Sequence, residues 1–138
     1  MLKEDSAGVD VGSMELQATL RREGGRDPAR KKFLNTESGR RALCRWLIKP
    51  GHLVRVCLES TGNYGLDLAM DLDACQGVEV MVANPRAVRR FAEALMSRNK
   101  SDRIDGDVLE QLAARMPFTR WQKPDPSALE LRGISRVS

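Results

Sequence analysis

Residues 52–97 alternate twice between a short apolar run and a longer amphipathic one: HLVRVCLE, YGLDLAMDLDACQG, VEVMVAN and RAVRRFAEALMS. The first and third are short and rich in β-branched residues, which suits strands. In the second, Leu66, Ala69, Met70 and Asp73 or Ala74 recur at helical spacing. A helix between two strands returns the chain to the same end of a sheet, so the strands it joins run parallel. Pro85 suits the first turn of the helix after VEVMVAN, because its missing N–H would have no helical partner there anyway. This part of the chain therefore calls for parallel strands with helices lying on them.

The earlier residues follow a different rule. AGVDVG (7–12) reads as a strand, ELQATLRREGG as a second one ending in a Gly-Gly turn, and ARKKFLNT as a third. Connections this short make the three an antiparallel meander. TESGRRALCRWLIKPG then reads as a helix with Thr36 or Ser38 near its start and Pro50-Gly51 ending it. A last helix is predicted from about Ser101 to Met116. The order β-β-β-α-β-α-β-α-α implies an α/β fold: a mixed sheet whose first three strands are antiparallel, with helices on both faces. From Pro117 onward three prolines interrupt the sequence, and periodicity returns only in a helix predicted over 126–136. The division expected is a domain over 1–117 and a connector over 118–138, leading to a second domain.

With 138 residues a single core can be buried without disulfides or metal. No apolar run approaches the ~18 residues of a membrane span, and no charged-then-apolar leader suggests export. Three cysteines with no C-x-x-C spacing point to reduced thiols and a cytoplasmic setting, and a lone histidine, His52, makes a zinc site improbable. The net charge of +4 is unevenly spread. Residues 21–32 and 86–103 each carry six basic and two acidic side chains, so each segment alone matches the net charge of the whole chain. Either could be solvated surface; two such clusters favour a phosphate-bearing partner.

Four acids stand out against that background. In AGVDVG, strand alternation puts Ala7, Val9 and Val11 on one face and Gly8, Asp10 and Gly12 on the other, leaving open space round the Asp10 carboxylate. Glu59 closes HLVRVCLE at the carboxyl end of a strand, where α/β sheets hold ligands, and STGN follows it. In NKSDRIDGD, a helical wheel places Ile104, Val108, Leu109, Leu112 and Met116 on the buried stripe, with Asp105 inside that arc and Asp102 at its edge. Asp107 points to solvent on the same wheel. Each acid also has a plain structural reading, as a strand end, a helix cap or a favourable charge in a first helical turn. Taken together, four carboxylates are what two Mg²⁺ ions at a phosphodiester require, with the basic segments holding the backbone beside them.

GVDVGS, LESTGNYG, VMVANPRAVRRFA and NKSDRIDGDVLEQLA together resemble the DEDD transposases of bridge-RNA-guided insertion sequences, a group that includes Piv-like DNA invertases. The resemblance runs from about residue 6 to 116 and continues loosely through Trp121. It implies an RNase H-like, RuvC-like fold and a metal-dependent transposase or recombinase that cuts and rejoins DNA. It further implies that Asp10, Glu59, Asp102 and Asp105 are the family's four acids, binding Mg²⁺ or Mn²⁺. A guide RNA, a homo-oligomer of the full-length protein and a second domain bearing a serine nucleophile are implied as well; Ser135 and Ser138 are not that serine. Asn84 and Pro85 match a family stretch without a catalytic role, and Gly106 stands where similar proteins often have Ala. Phosphate contacts are expected from Arg86, Arg89, Arg90, Arg98, Lys100 and Arg103.

Three rivals stay open at the level of sequence. An actin-like ATPase also begins with D-x-G after a strand, but it needs a second phosphate loop and a glycine-rich adenosine motif, and the chain has no convincing copy of either. A Holliday-junction-resolvase-like nuclease would show similar acids and basic patches. A noncatalytic nucleic-acid-binding module would use the acids as caps, although 4% aromatic residues is thin for base stacking. Trp46, Tyr64 and Trp121 read as core or partial-core residues.

Overall fold

The computed structural model describes residues 2–59, 64–95 and 104–123. Five strands form one sheet: β1 (Lys3–Val11), β2 (Glu15–Arg21), β3 (Ala29–Leu34), β4 (His52–Glu59) and β5 (Val78–Ala83), in the order β3-β2-β1-β4-β5. The first three are antiparallel neighbours, whereas β4 runs parallel to both β1 and β5. Four helices accompany them: α1 (Glu37–Leu47), α2 (Tyr64–Asp73), α3 (Pro85–Leu95) and α4 (Gly106–Arg115).

Strand alternation sorts the core into two layers. Ala7, Val9, Leu16, Val54, Val56 and Val80 face Leu43 and Leu47 of α1 and Leu68, Ala69 and Leu72 of α2. Cys57, Met81 and Ala83 face the other way, against Val88 of α3 and Leu109, Leu112 and Ala113 of α4. A mixed sheet in this order, with helices on both faces, is consistent with the RNase H-like fold. Among the described residues no helix is long and apolar enough to cross a membrane.

Local signals explain most boundaries. Thr36 is the N-cap of α1, its hydroxyl accepting from the Gly39 N–H at 3.0 Å. Gly39 itself is required, because a Cβ there would stand 1.8 Å from the Leu34 carbonyl oxygen. The helix stops at Leu47, short of Pro50-Gly51, and Gly51 turns the chain into β4 with φ +79°. Asn84 Oδ1 accepts from the Arg86 N–H at 2.8 Å, so Asn84 and Pro85 open α3 as a helix start.

Several sequence expectations shift by a few residues. The buried stripe of α2 is Leu68, Ala69 and Leu72, while Leu66 and Met70 are half-buried. Helix α4 begins at Gly106 and not near Ser101, and Met116 beyond its end is 46% exposed. Trp46 and Trp121 are partly buried against the first core layer, whereas the Tyr64 side chain lies outside the described residues. Of the residues after 117, Phe118 packs on the second layer and Trp121 donates its backbone N–H to Val80 O at 2.6 Å. The segment 60–63 and the helix predicted over 126–136 lie outside the described residues.

Candidate functional site

Asp10 and Glu59 close adjacent parallel strands. The β1–β4 register pairs Gly8 with Cys57 and Val9 with Leu58, so its next step sets Asp10 beside Glu59. Both are half-buried and both lie on the face covered by α3 and α4. Strand β4 sits between β1 and β5, so Glu59 ends an interior strand and not an edge. Burial raises the proton affinity of the Glu59 carboxyl, the Asp10 charge raises it further, and the guanidinium of Arg89 opposes both. Arg89 therefore lies within electrostatic reach of the acid pair. With Arg86 and Arg90 it is exposed on α3, while Val88 and Ala92 of the same helix face inward.

The third acid has a more specific place than the helical wheel assigned. Asp105 is the N-cap of α4, with φ −125°, and its Oδ1 accepts from the Val108 N–H at 3.2 Å. It is half-buried, not part of a buried stripe. The reason is physical: Asp is among the best N-caps and Gly among the poorest interior residues, so the helix starts between them. Capping uses one carboxylate oxygen and leaves the second directed elsewhere. Asp102, Arg98, Lys100 and Arg103 lie outside the described residues. Among the described residues, no group of three or more His, Cys, Asp or Glu side chains is gathered closely enough to hold a metal ion.

The space expected beside Asp10 is filled on one side. A Cβ on Gly8 would stand 2.3 Å from Glu110 N and 2.4 Å from Gly106 O, so α4 lies almost backbone to backbone on β1. Gly106 answers it: a Cβ there would meet Thr19 Oγ1 at 2.8 Å, Gln17 O at 3.0 Å and Gly8 O at 3.2 Å. Its glycine is thus a matter of contact as well as helix propensity. Helix and strand run in opposite directions, which brings the N-terminus of α4, the positive end of its dipole, to the carboxyl end of β1. Gln17, paired with Asp10 in the β1–β2 register, lines one groove with Asp105, Asp107, Arg30 and Lys32, about 350 Å³ in volume.

Asp107 does not simply face solvent. It accepts from Thr19 Oγ1 at 2.7 Å and from Arg30 Nε and Nη2, each at 2.9 Å. These bonds, Arg30's foremost, hold its carboxyl below the usual range although burial works the other way. The buried acid of this helix is Glu110, 1% exposed, bound to Ser6 and Arg21. Nothing local in the sequence singles it out beyond a carboxylate beside Leu109, Leu112 and Ala113. A further buried network joins Asp5 to Arg22, His52 and the Glu23 N–H at the opposite end of β1.

A search of curated proteins finds no significant match to this chain. The family described as Transposase, DEDD_Tnp_IS110, matches residues 7–138, a span that takes in Asp10, Glu59, Asp102, Asp105 and the arginines of α3. With that match over nearly its whole length, the chain belongs to this transposase family.

Proposed function

We propose that the chain is the acid-bearing domain of a transposase that cuts and rejoins DNA with Mg²⁺ or Mn²⁺ held by Asp10, Glu59, Asp102 and Asp105. The observation that carries this reading is the pairing of Asp10 with Glu59 at the carboxyl ends of two adjacent parallel strands, with Glu59's proton affinity raised by burial and by its neighbour. Asp10 and Glu59 would hold a cation whose charge would relieve that repulsion. An all-oxygen donor set suits these hard ions better than it suits zinc, which favours nitrogen and sulfur ligands. When bound, such ions polarise phosphodiester oxygens and stabilise the charge that develops on them. The chain's own part is to hold the carboxylates at fixed separation and to bring DNA to them. Arg89, near the acid pair, and Arg86 and Arg90 beside it are assigned to the phosphate backbone, as are Arg98, Lys100 and Arg103. Guidance by RNA, a second domain beyond residues 118–138 and a homo-oligomeric assembly belong to the same reading.

The test is fluorescence anisotropy of a labelled DNA duplex with this chain, in chelator and in Mn²⁺. Metal should tighten binding for the parent, Asp10→Asn should remove that increment, and Arg89→Ala should weaken binding under both conditions. Binding that is indifferent to metal and to Asp10 would leave a noncatalytic nucleic-acid module as the better description.

A further inference from the structure

Along the face of β1 that carries Asp10, the alternate residues are Ser6, Gly8 and Asp10. Ser6 Oγ donates to Glu110 Oε2 at 2.5 Å, and Gly8 lies under the turn from Gly106 to Glu110. Two strand residues advance ~6.7 Å and four helical residues ~6 Å, so the antiparallel strand and helix stay in step. That step carries the start of α4, Asp105 included, toward the level of Asp10. The glycine contact and the packing of Leu109, Leu112 and Ala113 already favour one register. Polar groups add directional restraints to it. Asp107 is one, but its ion pair with Arg30 is largely exposed, 46% against 60%, and such pairs are weak.

Glu110 is the other, and it is buried. Its carboxylate also accepts from Arg21 Nε at 3.3 Å and from Gln111 Nε2 at 2.8 Å. An apolar side chain at this position would join Leu109, Leu112 and Ala113 with no desolvation cost, so a buried carboxylate is a poor choice for stability alone. It does discriminate between registers: sliding α4 by a turn would separate the charge from Ser6 and Arg21. We infer that Glu110 is a positioning residue, which with Ser6 and Arg21 fixes α4 along β1 and so holds Asp105 beside the strand end that bears Asp10. Its consequence for metal rests on the proposed function; its geometry does not.

The experiment uses this chain and its Glu110→Met, Glu110→Gln and Ser6→Ala variants. Amide exchange at Val108, whose N–H is capped by Asp105, is compared in chelator with exchange at Val56 in the middle of β4. Mn²⁺ affinity is measured on the same samples by calorimetry. Glu110→Met should speed Val108 exchange about tenfold relative to Val56, the Val56 reference absorbing any change in global stability, and weaken Mn²⁺ by about tenfold or more. Glu110→Gln keeps the length and can still bond Ser6 and Arg21, so both readouts should stay within about threefold of the parent. Parent-like Val108 exchange and Mn²⁺ affinity in Glu110→Met would overturn the inference. If Glu110→Met does not fold, Ser6→Ala, which leaves the charge paired with Arg21, decides by the same readouts. A parent chain that takes up no Mn²⁺, with Val108 exchange still governed by Glu110, would sink the metal reading and leave the positioning role standing.

Discussion

The backbone contact of α4 on β1 offers a sharp perturbation, Gly8→Ala. The new methyl carbon would stand 2.3 Å from Glu110 N, 2.4 Å from Gly106 O and 2.6 Å from Leu109 Cβ. Two of these are backbone atoms and none can turn aside, so α4 must lift by about 1 Å to restore ordinary van der Waals distances. A gap of that size forfeits roughly a quarter to a half of the dispersion energy at the contact, and overpacking of a tight core costs about 1–3 kcal/mol. The Ser6–Glu110 bond, 2.5 Å in the parent, would open beyond hydrogen-bond range, adding about 1.5–3 kcal/mol for a charged acceptor. Replacing glycine in a strand returns about 0.5–1 kcal/mol. The net expectation is a loss of roughly 2–5 kcal/mol, a large part of the ~5–15 kcal/mol that a domain has in total. Urea unfolding followed by circular dichroism measures it, as a lower midpoint at unchanged slope. A variant within about 0.5 kcal/mol of the parent would refute the seating of α4 on β1.

Three further substitutions and treatments probe other parts of the molecule. Asp5→Asn should cost about 2–4 kcal/mol at neutral pH, because the buried carboxylate is the common acceptor for Arg22, His52 and the Glu23 N–H. Burial pushes the Asp5 carboxyl up, but those donors outweigh it and hold it below its ordinary value. Its stabilisation is therefore complete above about pH 4 and lost as pH falls through the folded value, so parent and variant should converge in acid denaturation. Burial, with the Glu59 charge adding to it, pushes the Cys57 thiol up to about 12, so in the native chain at pH 8 it should resist iodoacetamide until urea is added; rapid native labelling would contradict its place in the second core layer. Arg30→Gln should leave the unfolding midpoint nearly unchanged, since its ion pair is exposed, and should let the Asp107 carboxyl rise toward its ordinary value in an NMR titration.

How much of this was legible in the sequence depends on the range of the interaction concerned. HLVRVCLE and VEVMVAN became β4 and β5 because apolar, β-branched runs bounded by turns leave little choice. The Thr36 cap and the Pro85 helix start are local chemistry and were equally readable. The division of β1 into a Val9 face and an Asp10 face followed from alternation alone. What covers the Asp10 face did not, because Gly8 meets Gly106 across almost the whole length of the domain. The start of α4 was misjudged although its signal was present: the Asp-Gly pair at 105–106 is a cap followed by a poor helix former, and a wheel begun too early turned the cap into a buried acid. Glu110 could not be found this way, since what makes a buried carboxylate tolerable is Arg21, distant in sequence and adjacent in space. The nearness of Asp10 and Glu59 needed the sheet order, in which β4 crosses over to lie beside β1.

The claim that these carboxylates form a cation site is tested most directly by thermal unfolding in chelator and in Mg²⁺ or Mn²⁺, for the parent, Asp10→Asn and Asp105→Asn. Asn caps a helix about as well as Asp, so Asp105→Asn separates capping from metal binding. Metal should raise the parent's unfolding midpoint. Asp10→Asn should abolish that gain and, by removing its charge from beside Glu59, raise the midpoint in chelator; Asp105→Asn should lose the gain with its chelator midpoint unchanged. A parent indifferent to both metals, with Asp10→Asn no more stable than the parent in chelator, would contradict the account.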